Sequence, residues 1–385
     1  MVGGLETMKF RRDATVSLAI AIIIVVAGAA VLSSRLFSGM TDDVEKNQFK
    51  LMQAIVETAF TDAENKALAR ADLIVDLPNV QRLFASRDRA GLLAELGGAY
   101  ANQKARYGID QAQFHVPPAT SFLRLHDPAI FGDDLTVFRP MVVAVNRLRE
   151  PAKGITIARN GPAIFGVTPV FDAGGKHLGS FEVGIDFGPL LASLKTAYAL
   201  DLALFIDEQG LQDFANGIDP AVLSEENRVG RYICFKSTNA ALTGDLVAPS
   251  DLAVVNEPVN YVREAQGLVR GVTLLPLNNS AGTPVGVIAV TSDFSGSRAA
   301  VNRSHVWQTL ITLLSITILI GIVIVVIRGF LIRPLQVLGN RFERLNSDEA
   351  LEPIEGAERF PQELQVFVRL YEKVRARRGG GSLPS

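Results

Sequence analysis

The chain has 385 residues with 38 basic and 40 acidic side chains, and its net charge of −2 gives no strong attraction for nucleic acid or acidic lipid. Four histidines and one cysteine leave few ligands for a metal, and Cys234 alone cannot close an intrachain disulfide. Once its two long apolar runs are set aside, the length suffices for one large or two modest domains.

The first feature along the chain is an uncharged apolar run at 14–34, preceded by the basic residues Lys9, Arg11 and Arg12. A helix over this run is long enough to cross the ~30 Å hydrocarbon layer of a membrane. The run exceeds the apolar stretch of a usual signal peptide, and no clear Ala-x-Ala cleavage site follows it. These features favour a retained membrane anchor over a cleaved leader.

Residues 36–77 are predicted to form one long helix, which Pro78 would end. Apolar residues recur at spacings of three and four along one face: Phe49, Met52, Val56, Phe60 or Ala59, Ala63, Ala67, Ala71 and Ile74. At 1.5 Å per residue this helix would be roughly 60 Å long, too long for one small core. It would pack along an elongated domain, and we further predict a parallel partner from a second subunit. Another helix is predicted over 79–103.

From about residue 109 the pattern changes to short β-rich runs separated by Gly, Pro, Asn and Asp. The predicted strands are 113–116, 155–158, 163–171, 180–187 and 202–207, with a helix at 140–149.

The chain then repeats a hairpin pattern. Gly166-Val167-Thr168 begins a strand, residues 172–176 make a turn, and a return strand follows at 179–187. Gly271-Val272-Thr273 begins the second copy, with a turn at 278–282 and a return strand at 286–294. Both return strands end in Asp-Phe. Such a repeat indicates two related α+β modules, dividing near residue 195.

The second apolar run, at 306–327, is also free of charge and long enough to span a membrane. Arg328 and Arg333 follow it, so basic residues flank the same side of both runs. By the positive-inside rule both chain ends lie in the cytoplasm, although Arg35 and Arg303 weaken the bias. The region between the runs is therefore predicted to be extracytoplasmic, most plausibly periplasmic.

Two short amphipathic helices are predicted after the second run, joined by about fifteen residues. Their apolar stripes are Leu335, Leu338, Phe342 and Leu345, then Leu364, Phe367 or Val368, Tyr371 and Val374. Stripes of this kind suit a parallel four-helix dimer bundle, and a merely amphipathic membrane-proximal tail is the alternative. Residues 379–385 have the composition of a flexible tail.

A long helix leaving a membrane span, followed by two β-sheet modules and a return span, resembles the double Cache class of bacterial extracytoplasmic sensors. Residues 114–128, 131–135 and 138–139 look like the sensor region of one Cache subgroup, which occurs in chemoreceptors and sensor kinases. Residues 166–187 look like its closing hairpin. The chain after the second span resembles a HAMP relay, except that Phe360-Pro361 stands where an acidic residue is usual.

The resemblance implies an α+β fold: two transmembrane helices flanking a double Cache (tandem PAS-like) sensor with a long N-terminal helix, then a HAMP-like helical segment. The predicted parts are a cytoplasmic N-terminus at 1–13, a span at 14–34, a membrane-distal module with the long helix at 35–195, a membrane-proximal module at 196–303, a span at 306–327, a HAMP-like relay at 328–378 and a tail at 379–385.

A ligand pocket is predicted in the first module, where potential hydrogen-bond donors are dense between residues 114 and 147. The candidate binding residues are Phe114, His115, Ser121, Phe122, Arg124, His126, Arg139 and Asn146. Arg124 and Arg139 could grip a carboxylate or phosphate bidentately. The alternative is that each arginine pairs with a local carboxylate. His115 and His126 lack the short spacing of metal ligands, so no metal and no cofactor is predicted.

No nucleophile–base pair or pair of acids suggests catalysis, and we predict that the chain is not an enzyme. The predicted function is a transmembrane receptor, chemoreceptor-like or kinase-like. Its partners would be a small ligand, with an anionic one favoured by the arginines, the inner membrane, a second copy and a cytoplasmic signalling partner or missing output domain. Two alternatives stay open. One is a membrane-bound cyclase or kinase whose catalytic domain lies outside this chain, and the other is a non-signalling binding protein of the envelope.

Overall fold

The computed structural model describes residues 3–253, 255–346 and 352–378. The chain divides into two compact units, Asp43–Arg298 and a second made of Met1–Asp42 with Ala299–Ser385. The predicted tail at 379–385 lies outside the described residues.

The unit Asp43–Arg298 contains both β-sheets. The helices of the chain are α1 Gly3–Val75, α2 Pro78–Ala85, α3 Arg89–Tyr107, α4 Pro140–Leu148, α5 Phe187–Tyr198, α6 Glu208–Phe214, α7 Ala240–Leu246, α8 Pro249–Leu252, α9 Ser295–Val326, α10 Arg333–Glu343 and α11 Gln362–Arg378. The strands are β1 Ile109–Val116, β2 Thr120–Arg124, β3 Ala152–Ala158, β4 Gly161–Phe171, β5 His177–Ile185, β6 Asp201–Asp207, β7 Arg228–Val229, β8 Tyr232–Ser237, β9 Val259–Ala265, β10 Leu268–Asn278 and β11 Pro284–Asp293.

The long helix is confirmed, and α1 continues unbroken through both predicted segments to Val75. Its buried face consists of Phe49, Met52, Val56, Phe60, Ala63, Ala67, Ala71 and Val75, as the spacing predicts except at the last turn. Ile74 is half-buried there instead. Pro78 is the first residue of the next helix, α2, because its fixed φ and missing N–H suit the first turn of a helix.

The helix predicted at 79–103 is in fact two helices. The break falls at 86–88, where the Asp88 side chain accepts a hydrogen bond from the Gly91 backbone N–H at 2.8 Å and so caps α3. An aspartate at this position satisfies a donor that a helix start leaves free. The predicted apolar pattern was continuous across the break, so this capping residue was the missed signal.

The first sheet has the order β2-β1-β5-β4-β3, and all neighbouring strands run antiparallel. Alternate residues point to opposite faces of each strand. On one face Phe114, Phe181 and Val183 join the core formed with α1. On the other face Phe165 and Val167 pack under α4. The sheet is therefore covered on both sides.

The second sheet has the order β7-β8-β6-β11-β10-β9. The two predicted hairpins are β4–β5 and β10–β11, so each sheet contains one copy. Gly166 pairs with Val183, whereas Gly271 pairs with Ser292. The register of the second copy is thus shifted by two residues, and an even shift keeps each side chain on its face.

Among the described residues, one helical run, Val306–Glu343, is long and apolar enough to cross a membrane by length and composition. The corresponding stretch of α1 is the shorter apolar segment Ile23–Arg35. The second predicted span thus has a matching helix, and the first, at 14–34, stays a prediction.

Two helices follow the predicted second span, as the apolar stripes indicate. Leu338 on α10 and Val368 and Tyr371 on α11 are buried together with Ile354 of the connector. The Tyr371 hydroxyl donates to the Glu352 carbonyl oxygen at 3.0 Å. The predicted connector also includes Leu351, which lies outside the described residues.

Candidate functional site

A row of buried polar side chains crosses the face of the first sheet that lies under α4. In β1, Gln113 and His115 point to this face, and in β5 their paired residues Glu182 and Ser180 do the same. All four are less than 5% exposed. Burying polar groups is costly unless they are paired, so this row needs partners within the fold.

Arg139 supplies a charge partner for Glu182. It lies directly before α4 and donates a hydrogen bond from Nη2 to Glu182 Oε2. The guanidinium also lies 4.2 Å from the centroid of the Phe165 ring, a favourable cation–π distance. Arg139 is 5% and Glu182 is 1% exposed, so this ion pair is fully inside the protein.

His115 lies beside this ion pair, with Nε2 3.6 Å from Glu182 Oε1. Burial lowers the pKa of His115 well below its ordinary value, and the charge of Arg139 adds to that shift. Burial also raises the pKa of Glu182, although Arg139 opposes the rise. His115 is therefore neutral at neutral pH. Neither of its ring nitrogens has a hydrogen-bond partner among the described residues.

A second arginine, Arg124 at the end of β2, forms a bidentate pair with Asp133. Its Nη1 and Nη2 donate to Oδ1 and Oδ2 of Asp133 at 2.9 and 2.7 Å, and Nη1 also donates to the Ile130 carbonyl at 3.0 Å. The hydrogen bond from Arg124 lowers the pKa of Asp133. These bonds hold the loop after β2 against the sheet.

Both arginines line a polar cavity of about 500 Å³. Its walls come from the first sheet, the loop after β2, the β3–β4 turn and the segment after α6. The lining residues are Lys104, Asp110, Gln111, Gln113, Arg124, His126, Asp127, Asp133, Asp134, Leu135, Phe138, Arg139, Ala158, Arg159, Asn160, Phe214, Asn216 and Gly217. Four of these are cationic and four are aspartates, so the cavity carries both signs of charge in equal number.

Gln111 and Arg159 are among the lining residues whose side chains form no hydrogen bond or ion pair within the part of the chain that the structure describes. Gln111 is only 5% exposed, and its amide forms no hydrogen bond to another described residue. The Arg159 guanidinium forms no ion pair with any described residue, whereas Arg124 and Arg139 each pair with a carboxylate. Neither residue was predicted from the sequence as part of the site. Gln111 alternates with Gln113 along β1, which was the available signal, but the strand was predicted to begin at 113.

The structure brings three of the eight predicted binding residues to the cavity: Arg124, His126 and Arg139. His126 has its pKa lowered by burial, and Nδ1 lies 3.3 Å from the backbone N and O of Ala112. His115 lies in the buried row, against the carboxylate of Glu182.

The other four predicted residues have structural partners. The Ser121 hydroxyl accepts from Gln113 Nε2 at 2.8 Å, and Asn146 Nδ2 donates to the Pro118 carbonyl at 2.9 Å. Phe114 and Phe122 lie on the opposite face of the sheet, where both contact the Phe84 ring. Phe114 and Phe122, which were predicted from the sequence as candidate binding residues, therefore do not line the polar cavity.

Among the side chains that the structure describes, no group of three His, Cys, Asp or Glu residues is placed to hold a metal ion.

The sequence of residues 45–295 matches the profile of a protein family described as the double sensory domain of two-component sensor kinases. No curated protein has a significantly similar sequence.

Several solved structures are similar to this chain at low sequence identity. An extracellular ligand-binding receptor from Desulfohalobium retbaense is 12% identical with a TM-score of 0.35, and the match covers 63% of this chain and 39% of that chain. The ligand-binding domain of the Campylobacter jejuni chemoreceptor Tlp3, in complex with 4-methylisoleucine, is 11% identical with a TM-score of 0.39, covering 68% and 94%. A domain of a sensory box/GGDEF family protein from Vibrio parahaemolyticus is 13% identical with a TM-score of 0.41, covering 66% and 97%.

Proposed function

This chain belongs to the double sensory domain family of two-component sensor kinases, and we propose that it is a membrane-anchored sensor whose first module binds a small polar ligand outside the bilayer. The observation that carries the proposal is the polar cavity of about 500 Å³, with the buried and unpartnered Gln111 on its wall. The Gln111 amide is not fully enclosed and has no partner among the described residues, so a polar ligand in the cavity could form hydrogen bonds with it.

The charges that line the cavity indicate which hydrogen-bonding groups and which net charge the ligand has. Arg124 and Arg139 already pair with Asp133 and Glu182, so their main role is to hold the walls in place. Arg159 is free to bind a carboxylate or another acceptor oxygen. Because the lining is balanced in charge overall, we propose a small ligand with both accepting and donating groups, rather than a strongly anionic one.

The signal would pass from the cavity to the membrane through α1 and α9. The helix α1 packs on the face of the first sheet opposite the cavity, so a change in strand position acts on it directly. We propose that 14–34 and 306–327 both cross the inner membrane, with 35–303 in the periplasm, both termini in the cytoplasm and 328–378 acting as a HAMP-like relay. A ligand drives such a change only by binding one arrangement better than the other.

The helices α10 and α11 leave apolar side chains exposed within one chain. Leu335, Phe342, Phe367 and Val374 are 48%, 37%, 52% and 38% exposed. In a parallel four-helix bundle with a second copy these residues would be covered. We therefore propose a homodimer, whose output is a cytoplasmic partner or a domain beyond this chain, as in a chemoreceptor or a sensor kinase.

A thermal-shift screen of the purified full chain against small polar metabolites tests the binding proposal. A ligand at about a hundred times its Kd stabilises the folded state by about 2.7 kcal/mol. The variants Gln111→Leu and Arg159→Gln should each weaken the affinity for that ligand about tenfold, because each removes one polar contact.

The matched control is Arg147→Gln, which changes an exposed arginine of α4 that does not line the cavity. It should leave the affinity unchanged. A verified ligand whose affinity is the same in all three variants would place the binding site elsewhere.

A further inference from the structure

A second cavity of about 550 Å³ lies on the opposite face of the first sheet from the polar one. The helices α1 and α3 form its sides and the strands β1 and β5 its floor. Its lining residues are Arg70, Leu73, Ile74, Leu96, Ala99, Tyr100, Gln103, Tyr107, Ile109, Ala112, Leu125, Phe181 and Val183. Eleven of these side chains are aliphatic or aromatic, in contrast to the charged walls of the first cavity.

The cavity exists because small side chains on α3 and β1 lie among larger ones. Ala99 on α3 and Ala112 on β1 are small, while Leu96, Phe181 and Val183 around them are large and buried. Leu73 and Tyr107 at its rim are 67% and 52% exposed, so the recess opens to solvent and a ligand can enter it. A largely apolar recess with a few polar groups is the usual form of a small-molecule site.

Arg70 is the one charged residue in the lining. Its Nε donates to Gln103 Oε1 at 3.2 Å, and the guanidinium lies 5.2 Å from the centroid of the Tyr107 ring. These contacts hold Arg70 between α1 and α3. Its two terminal nitrogens, Nη1 and Nη2, have no partner among the described residues and are free to bind a planar anion.

One of the other polar groups in the lining, the Tyr100 hydroxyl, is already hydrogen-bonded within the protein. The Tyr100 hydroxyl donates to the Asp110 carbonyl oxygen at 2.7 Å, so its ring contributes apolar surface. The cavity thus combines apolar walls with a single cationic group, and no acidic residue lines it.

We infer that this cavity is a second ligand site, separate from the polar one, for a small molecule with an apolar body and one carboxylate head. The apolar body gains free energy by leaving water. The carboxylate accepts hydrogen bonds from Nη1 and Nη2 of Arg70. A medium-chain carboxylate has this chemistry. When bound it would contact α1, which forms one wall of the cavity.

Isothermal titration calorimetry of the full chain in lipid nanodiscs tests the inference, with sodium octanoate as the probe and empty nanodiscs as the blank. The wild type should bind octanoate saturably. Ala99→Trp should remove this binding by filling the cavity. Ala94→Trp places the same ring on the exposed face of α3 away from the cavity, and should bind like the wild type.

The charge is tested with Arg70→Gln, which should weaken octanoate binding about tenfold. Binding of 1-octanol, which has the same chain length without the charge, should change little. Arg106→Gln removes an exposed arginine of α3 outside the lining, and should leave both affinities unchanged.

Three results would overturn the inference: no saturable octanoate binding to the wild type, equal binding to the wild type and Ala99→Trp, or equal loss in Ala94→Trp and Ala99→Trp. Sedimentation of the same samples adds a further criterion. A loss of dimer in Ala99→Trp, with octanoate binding unaffected, would assign this face to a second copy of the chain.

Discussion

Three buried residues, Arg139, Glu182 and His115, set the electrostatics beneath the polar cavity. Removing charges from water is costly, and the pair Arg139–Glu182 offsets that cost through direct contact. His115 adds a neutral ring against the same carboxylate. The arrangement gives the sheet one internal charge pair, whose partners lie 43 residues apart in the sequence.

The first prediction concerns the loss of one partner of this ion pair. Arg139→Leu should destabilise the fold by about 3–5 kcal/mol, because Glu182 is left buried without a counter-charge. The double variant Arg139→Leu/Glu182→Leu should recover much of that loss. Thermal unfolding of the full chain followed by circular dichroism measures both. A double variant as unstable as the sum of its single changes would show that the two residues are not coupled.

The second prediction concerns pH. Because the folded state lowers the pKa of His115, the unfolded chain takes up a proton near pH 6.5 while the folded chain does not. The free energy of unfolding should therefore fall as the pH drops through 6.5. The raised pKa of Glu182 has the opposite sign: the stability that it contributes is present below the ordinary value of 4.5 and is lost as the pH rises through the raised pKa.

His115→Gln should reduce the loss of thermal stability between pH 7 and 5.5 relative to the wild type. His177→Gln is the matched control, because His177 has its pKa lowered in the same direction but is less buried. The His177 variant should change the pH dependence less. Identical pH profiles for the wild type and His115→Gln would contradict the assignment.

At the scale of elements, α1 and the first sheet pack with unusually close backbones. A Cβ atom added at Gly166 in β4 would lie 2.2 Å from the backbone nitrogen of Leu68 in α1. No ordinary side chain fits at that distance, so glycine at 166 determines how near the long helix approaches the sheet. This same glycine begins the repeated Gly-Val-Thr pattern.

We predict that Gly166→Ala lowers the free energy of unfolding by about 1–3 kcal/mol, because α1 must move away from β4. Gly98→Ala is the matched control. Gly98 lies in the exposed middle of α3 with no atom near an added Cβ, and its replacement should stabilise the fold by about 0.5–1 kcal/mol. Thermal unfolding should therefore shift in opposite directions for the two variants. A shift in the same direction would contradict the packing argument.

At the scale of the whole molecule, the two sheets are joined within one compact unit. The helix α5 connects them along the chain, and Lys236 of β8 pairs with Asp186 before α5 at 2.8 Å. The lining of the polar cavity includes Arg159, from the turn between β3 and β4 of the first sheet, and Phe214, the last residue of α6, which follows β6 of the second sheet. A ligand there would contact both modules, which is suited to passing a shift from one to the next.

The proposed topology predicts which parts of the chain lie outside the cell. Ala281→Cys, in an exposed turn before β11, should react with a membrane-impermeant maleimide in intact cells, whereas Lys373→Cys on α11 should react only after lysis. Native Cys234 gives little background, because burial raises the pKa of its thiol to about 11 and little thiolate forms. Labelling of Lys373→Cys in intact cells would contradict the two-span topology.

Much of the fold could be predicted from local patterns. The three-and-four spacing of Phe49 to Ala71 predicts α1 and its buried face, because the period of a helix is fixed by its own geometry. The repeated Gly-Val-Thr and Asp-Phe positions predict the two hairpins. The break between α2 and α3 was not predicted, since one capping aspartate decides it against a continuous apolar pattern.

Local sequence patterns were enough to predict the periodic elements and the two repeated hairpins, and they indicated the family that the profile match over residues 45–295 shows. Which side chains meet depends on tertiary contacts that these patterns do not specify. Alternation places Phe114 and His115 on opposite faces of β1 but cannot say which face meets α1 and which meets α4. Strand order determines that Arg139 pairs with Glu182 and that Arg159 and Gln111 line the same cavity. Strand order is in turn set by contacts between residues far apart in the chain.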